Sequence, residues 1–245
     1  MRRPGLVLLL AAGLAAAGCA APERPLVVFA AASLADAADV LAALHHAETG
    51  QPVAVSTGAS STLARQIDAG APADVALLAG TDWAAWLAAR DRLAAPPETL
   101  ATSALVVLGP ADAEPWREPR ELLGVERLAL ADPAHVPAGR YARAALERAG
   151  LWAELAPRVV PSRDVRAAAL AVATGAADAA VVYAPDARAV GGTRAVLPWP
   201  DSLGAGVAFV ALRLRGGRGG AAGFVSRARA RGEVWRELGF APFPR

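Results

Sequence analysis

The chain has 245 residues, of which 55% are hydrophobic and 20% charged, so it is long enough to bury a core in one large domain or two small lobes. All 25 basic residues are Arg, and setting aside Arg2 and Arg3 leaves 23 basic against 23 acidic residues. This neutral balance, with five Phe, two Tyr and no basic-aromatic stripe, argues against nucleic-acid binding.

The N-terminus has the pattern of a targeting segment. Two Arg residues precede an apolar run over 6–17, which is too short to span a bilayer well and has the length typical of a signal sequence. We therefore predict a signal peptide over 1–18, of the lipoprotein type. The protein is expected in the periplasm or at the outer face of a bacterial membrane.

Small residues before Cys19 are similar to a bacterial lipobox, in which the thiol receives a lipid, although Ala16 stands where Leu is usual. Two outcomes stay open at this point: lipidation of Cys19, or ordinary cleavage near Ala17 or Ala21. Cys19 is the only Cys, which excludes an intramolecular disulfide. A short linker is predicted over 19–25.

Beyond the linker, short apolar runs alternate with helical patterns. Strands are predicted at 26–30, 53–56, 74–78, 104–108, 128–131, 179–183 and 207–212. Helices are predicted near 34–48, 61–69, 82–93, 140–149, 165–174 and 221–239. Several helical patterns end at Gly, the residue that most often follows a helix. The alternation predicts an α/β fold with parallel sheets.

The pattern has two centres, which predicts two doubly wound α/β lobes joined by two crossing segments. Lobe I would comprise 26–103 and 205–245, and lobe II would comprise 104–204. A ligand would then lie in the cleft between the lobes, where strands end and helices begin.

Two strand-to-helix turns carry hydroxyl residues. The first reads FAAASL over 29–34, and the second reads GASSTLARQ over 58–66. A Ser at such a turn is usually a helix N-cap, so Ser33 alone would be unremarkable, and one residue of the second turn should also be a cap. Two helix N-termini aimed at one point, however, can bind an anion without Lys or Arg.

Three later segments extend this pattern. In ADPAHVPAGRYA, over 131–142, Pro137 begins a helix and Ala138 leaves a backbone N–H with little side chain above it. Asp164 is predicted to cap the next helix, with Val165 in its first turn. Tyr183 ends a buried strand, where a phenol is either structural or a donor into a cleft.

These five segments, in this order, resemble the molybdate-binding proteins of bacterial ABC importers, which are type II periplasmic substrate-binding proteins. The resemblance covers essentially the whole chain after the leader. Residue by residue, it implies that Ser33, Ser60, Ala138, Val165 and Tyr183 contact the oxyanion, through Ser side chains, backbone N–H groups and the Tyr hydroxyl. Ser61 remains an alternative to Ser60.

The resemblance also implies the function. The protein would capture molybdate, and tungstate as well, in an uncharged pocket of hydrogen-bond donors and deliver it to an inner-membrane ABC permease. We expect a monomer that is not an enzyme and has no cofactor and no bare metal cation. Its only contact with the membrane would be the lipid at Cys19, if that residue is lipidated. An all-donor pocket disfavours protonated phosphate, whose O–H would lose its acceptor at a cost of about 1–3 kcal/mol.

Other functions are less well supported by the residues. A serine hydrolase would need G-x-S-x-G, and the nearest segment has Thr62 in place of the last Gly. A receptor of the same fold for another oxyanion such as sulfate is the main alternative. A sensor with the same binding domain also stays open.

Overall fold

The structure is a computed structural model that describes residues 24–203 and 206–243. The predicted signal peptide and Cys19 lie outside the described residues. The strands are β1 (Leu26–Ala31), β2 (Val53–Gly58), β3 (Val75–Ala79), β4 (Glu98–Pro110), β5 (Leu128–Ala131), β6 (Val159–Ser162), β7 (Ala179–Tyr183), β8 (Thr193–Pro198), β9 (Gly206–Arg213) and β10 (Ala241–Pro242). The α-helices are α1 (Ala35–Thr49), α2 (Ser60–Asp68), α3 (Asp82–Ala88), α4 (Pro137–Arg148), α5 (Trp152–Leu155), α6 (Val165–Ala173), α7 (Ala184–Ala189), α8 (Ala221–Ala230) and α9 (Gly232–Glu237).

The predicted α/β fold is confirmed, but the sheet is mixed rather than parallel. Its strands follow the order β2-β1-β3-β9-β4-β7-β5-β6, with β8 and β10 paired to β4. The strands at each end of this order are parallel, whereas β9 is antiparallel to β3 and β4. The sheet is mixed because β4 and β9 run opposite to their neighbours, which an apolar run in the sequence does not reveal.

Strand β4 lies in the middle of the sheet and pairs with strands on both sides of it. Its first part, through Ala104, pairs with β9, and its second part, from Leu105, pairs with β7 and β8. The pairing therefore changes next to the predicted lobe boundary at 103/104. The division into lobes at that point stays a prediction.

Most helices end where the sequence predicts, and the helices differ from the prediction in three ways. Gly50 stops α1 in the left-handed region, at φ 76°, as expected of a helix-terminating Gly. Helix α3 is shorter than predicted because the chain reaches a positive φ at Asp91. The single helix predicted over 221–239 is two helices, α8 and α9, which meet at Arg231. The short helices α5 and α7 were not predicted.

The parallel strands bring their carboxyl ends to one place. Ala31 pairs with Gly58, so Ser33 and Ser60 each lie two residues beyond level positions of β1 and β2. At the other end of the sheet, Ala131 pairs with Ser162, and α4 and α6 begin shortly after them. This arrangement directs four helix or 3-10-helix beginnings toward one region.

Within residues 24–203 and 206–243, no helix is both long and apolar enough to cross a membrane.

Candidate functional site

A small cavity lies where the strands end and the helices begin. Its empty volume is about 210 Å³, a figure that includes its opening to solvent. Small apolar residues form most of its wall, and all five predicted contact residues line it. The lining comprises Ala31, Ala32, Ser33, Gly58, Ala59, Ser60, Ala79, Val136, Pro137, Ala138, Asp164, Val165 and Tyr183.

Two of the lining hydroxyls are buried without a partner. Ser33 Oγ and Tyr183 Oη have no hydrogen-bond partner, although the residues are only 2% and 1% exposed. The interpretation of Ser33 as an N-cap is wrong, because it lies inside a 3-10 helix, Ala32–Leu34, whose N-cap is Ala31. An unpaired buried hydroxyl costs about 1–3 kcal/mol, so both groups are poised for a ligand that accepts hydrogen bonds.

Ser60 is held in a donating orientation. Its Oγ accepts the N–H of Ala79 at 3.0 Å, which leaves the hydroxyl hydrogen available to the cavity. Ser60 is the first residue of α2, and its N-cap is Ala59 without a side-chain bond, so no hydroxyl caps this helix. Ser61 is equally buried but does not line the cavity.

Tyr183 is fixed by aromatic packing and kept neutral by burial. Its ring meets Phe209 of β9 edge to face at 5.3 Å, and Phe209 packs in the same way on Phe240. Burial, with smaller contributions from Tyr141 and Asp186, raises the pKa of Tyr183 well above its ordinary value. The phenol therefore stays protonated and can donate to an anion.

Backbone donors come from three helix N-termini. The first N–H groups of α2, α4 and α6 have no acceptor within their own helices. Ala138 is the second residue of α4 after Pro137, and Val165 is the first residue of α6, as predicted. The positive ends of these helix dipoles add to the attraction for an anion at the cavity.

A close backbone contact seats α4 against β5. A Cβ at Gly139 would lie 1.9 Å from the carbonyl oxygen of Ala131 and 2.7 Å from that of Asp132. Only Gly permits this approach. The sequence pointed to the N–H groups around Ala138 but not to this steric role, which depends on the fold.

The lining contains one charged residue, Asp164, which was predicted as a cap and not as a wall residue. Its carboxylate accepts the N–H of Ala167 at 2.9 Å, so it caps α6 as expected. Arg140, the residue most able to alter the charge of the site, pairs with Asp82 at 2.8 Å and does not line the cavity. No Arg or His side chain belongs to the lining, so the donors are neutral.

Three charged residues form a cluster of ion pairs behind the residues that line the cavity. Arg166 Nε lies 2.6 Å from Asp186 Oδ1, and Arg166 Nη2 lies 2.8 Å from Asp36 Oδ2. Asp186 is fully buried, and burial raises its pKa to about 7 against the opposing effect of Arg166. This cluster was not predicted, because Asp36 and Arg166 are far apart in the sequence.

The opposite side of the cavity is closed by α4. A Cβ at Gly80, after β3, would lie 2.7 Å from Tyr141 Oη, so α4 rests on the turn that leads to α3. The pair Arg140 and Asp82 joins the same two elements. The cavity is thus enclosed by elements from both ends of the sheet.

This geometry suits an oxyanion rather than a cation. Across the part of the chain that the structure describes, no group of three or more His, Cys, Asp or Glu side chains could hold a metal ion. Three hydroxyls and several backbone N–H groups surround one small cavity, and a tetrahedral anion could accept hydrogen bonds from all of them.

Comparison with known proteins identifies a matching family, similar sequences and similar structures. A family model described as "Bacterial extracellular solute-binding protein" matches residues 26–241. The chain is 39% identical over 212 residues to the Escherichia coli K12 molybdate-binding protein ModA, covering 82% of each. The Azotobacter vinelandii periplasmic molybdate-binding protein has a similar structure, with a TM-score of 0.77 at 24% identity over 90% of this chain and 100% of that one.

A third similar structure is the sulfate-binding protein SubI of Mycobacterium tuberculosis. Its TM-score is 0.75 at 17% identity, over 90% of this chain and 87% of that one. At this identity the likeness concerns the fold alone.

Proposed function

The chain belongs to the bacterial extracellular solute-binding protein family, in the group that includes the ModA molybdate-binding proteins, and on that basis we propose that it captures molybdate outside the cytoplasm for an ABC importer. The family match covers nearly all of the described chain. The relatives are named as molybdate-binding and ABC transporter substrate-binding proteins, which agrees with a binding role rather than an enzymatic one.

One observation is the main support for an oxyanion as the ligand. Ser33 Oγ and Tyr183 Oη are buried and unpartnered at the same cavity, and Ser60 Oγ already accepts the N–H of Ala79 and can donate its hydrogen. An apolar or cationic ligand would leave these donors unpaired. A fully deprotonated oxyanion would accept all three hydrogen bonds.

The same donors favour some oxyanions over others. Molybdate and tungstate are deprotonated dianions of nearly the same size, so we propose that both bind. Phosphate keeps a proton near neutral pH, and that proton needs an acceptor in a cavity lined mainly by donors. The one carboxylate of the lining, Asp164, accepts the N–H of Ala167 through Oδ1 and lies 3.4 Å from Arg163 Nε through Oδ2. Sulfate is also a dianion but smaller, so it would make longer hydrogen bonds in a cavity shaped for molybdate.

The direct contacts in this proposal are Ser33, Ser60, Ala138, Val165 and Tyr183. Their support is that all five line the one cavity and each offers a hydroxyl or a helix-terminal N–H toward it. The fold also supplies a reason for the uncharged donors. Helix N-termini concentrate partial positive charge without adding a cation that would bind every anion alike.

Calorimetric titration of the purified protein with molybdate, tungstate, sulfate and phosphate in turn tests the proposal. We expect tight one-to-one binding of the first two, and little or no heat from the others. Tight binding of sulfate in preference to molybdate would move the assignment to the sulfate alternative. Silence from all four anions would contradict an oxyanion receptor.

The finer points of the proposal concern the membrane and the partner. The receptor would act as a monomer, anchored through a lipid on Cys19, and would deliver its ion to a permease in the inner membrane. A Cys19→Ser variant should leave the membrane fraction and appear in the soluble fraction. Continued membrane association of that variant would contradict anchoring through Cys19.

A further inference from the structure

Three of the helices around the cavity carry a charged residue just beyond a proposed contact residue. Asp36 follows Ser33 by three positions, and Asp186 follows Tyr183 by the same interval. Arg166 directly follows Val165. The three charged side chains meet, with Arg166 between the two carboxylates at 2.6 Å from Asp186 and 2.8 Å from Asp36.

The pair between Arg166 and Asp36 joins elements from opposite ends of the sheet. Helix α1, which carries Asp36, connects β1 and β2, and α6, which carries Arg166, connects β6 and β7. Between these strand groups lie β3, β9 and β4. Asp186 belongs to α7, which follows β7, and therefore sits at the same end as Arg166.

The two arms of the cluster differ in burial. Asp186 is fully buried, so losing Arg166 would leave its carboxylate without a counter-charge, which is strongly unfavourable. Asp36 is 49% exposed and can be solvated when Arg166 is absent. If the two ends of the sheet separate to admit a ligand, the pair between Arg166 and Asp36 is the one that can part.

We propose that Arg166 is a positioning residue that ties the N-terminus of α6 to that of α1 in the ligand-bound protein and slows release of the oxyanion. The inference rests on the proposed function, since it concerns the same cavity. Arg166 itself does not line that cavity, so its action would be through Val165 and Ser33, the neighbours whose donors the ion pair holds together.

Substitution of Asp36 is the sharpest test, because it removes the ion pair that joins the two ends of the sheet and leaves the buried pair of Arg166 and Asp186 intact. For Asp36→Asn we expect the dissociation constant and the release rate of molybdate to rise about two- to fivefold at low salt, the range for a partly exposed ion pair. The effect should fade near 1 M salt, where the screening length is about 3 Å. Calorimetry and a stopped-flow chase with tungstate would measure the two quantities.

Asp39→Asn is the matched control, since Asp39 is an exposed residue of the same helix with the same charge. It should bind and release molybdate like the parent, and Asp36→Glu, which keeps a carboxylate, should restore most of the loss. Equal behaviour of Asp36→Asn and Asp39→Asn would overturn the inference, as would an effect that does not change with salt. Failure of the parent to bind molybdate would instead overturn the proposed function.

Discussion

At the scale of single residues, two adjacent serines distinguish a ligand contact from a structural hydroxyl. Ser60→Ala should weaken molybdate binding by about 1.5–3 kcal/mol, the scale for a hydrogen bond to a charged group, or roughly 10- to 150-fold. Ser61→Ala, at an equally buried neighbour outside the cavity lining, should leave the affinity unchanged. Titration calorimetry on both variants shows which serine contacts the ligand, and the reverse pattern would assign the contact to Ser61.

Residue patterns predicted the hydroxyls of the cavity well and its charges poorly. Local features place Ser33, the hydroxyls at 60–62 and Tyr183 at strand ends, and the resemblance to molybdate-binding proteins selected Ser33, Ser60 and Tyr183 as contacts. The pairing of Arg166 with Asp36 joins residues 130 positions apart, which no local pattern encodes. The same holds for Asp164, whose capping role was evident while its place in the cavity wall was not.

At the scale of secondary-structure elements, the position of α4 depends on one Gly. Gly139→Ala would place a Cβ 1.9 Å from the Ala131 carbonyl, a backbone atom that cannot turn aside. We expect a loss of about 1–3 kcal/mol in the free energy of unfolding, typical of overpacking, with molybdate affinity reduced because the N-terminus of α4 shifts outward.

Denaturant titration and calorimetry would measure the two effects of Gly139→Ala. The control is Gly191→Ala, where nothing lies within 4 Å of the added Cβ and φ is not in the left-handed region. That variant should change neither stability nor affinity. A Gly139→Ala protein with the parent's affinity would show that α4 does not need this close approach to β5.

Fully buried strands were all predicted, whereas partly exposed strands were predicted in some cases, such as β2, and missed in others. Strands β5 and β7 have the predicted bounds, and every residue in them is buried. Strands β6 and β8 were missed because each is largely half-buried or exposed, and β6 contains Pro161. Their pairing with β5 and β4 supplies what their own sequence lacks.

At the scale of the whole molecule, stability should depend on pH through Asp186. Its pKa is raised to about 7 by burial, while in an unfolded chain it would titrate near 3.8. Between these values the native state holds the proton and the unfolded state does not. The contribution of Asp186 is therefore fully present below about pH 4 and is lost as the pH rises toward 7, by at most about 1.4 kcal/mol per pH unit.

An Asp186→Asn variant has no proton to lose at this position. The unfolding free energy of the parent minus that of the variant should decline from about pH 4 to about pH 7 and then become level. Taking the difference cancels groups such as Asp132 and Asp178, whose lowered pKa values affect both proteins alike. A difference that stays constant over this range would mean that Asp186 titrates normally.

The position of β9 has a consequence for the order in which the protein is made. This strand, at Gly206–Arg213, is among the last to be synthesised, yet it lies between β3 and β4 and joins the two parts of the sheet. A growing chain that has not reached it lacks the strand that pairs with one edge of β3 and with the first part of β4, and such long-range pairing is slow to form. Translation therefore has to be nearly complete before the whole sheet can form.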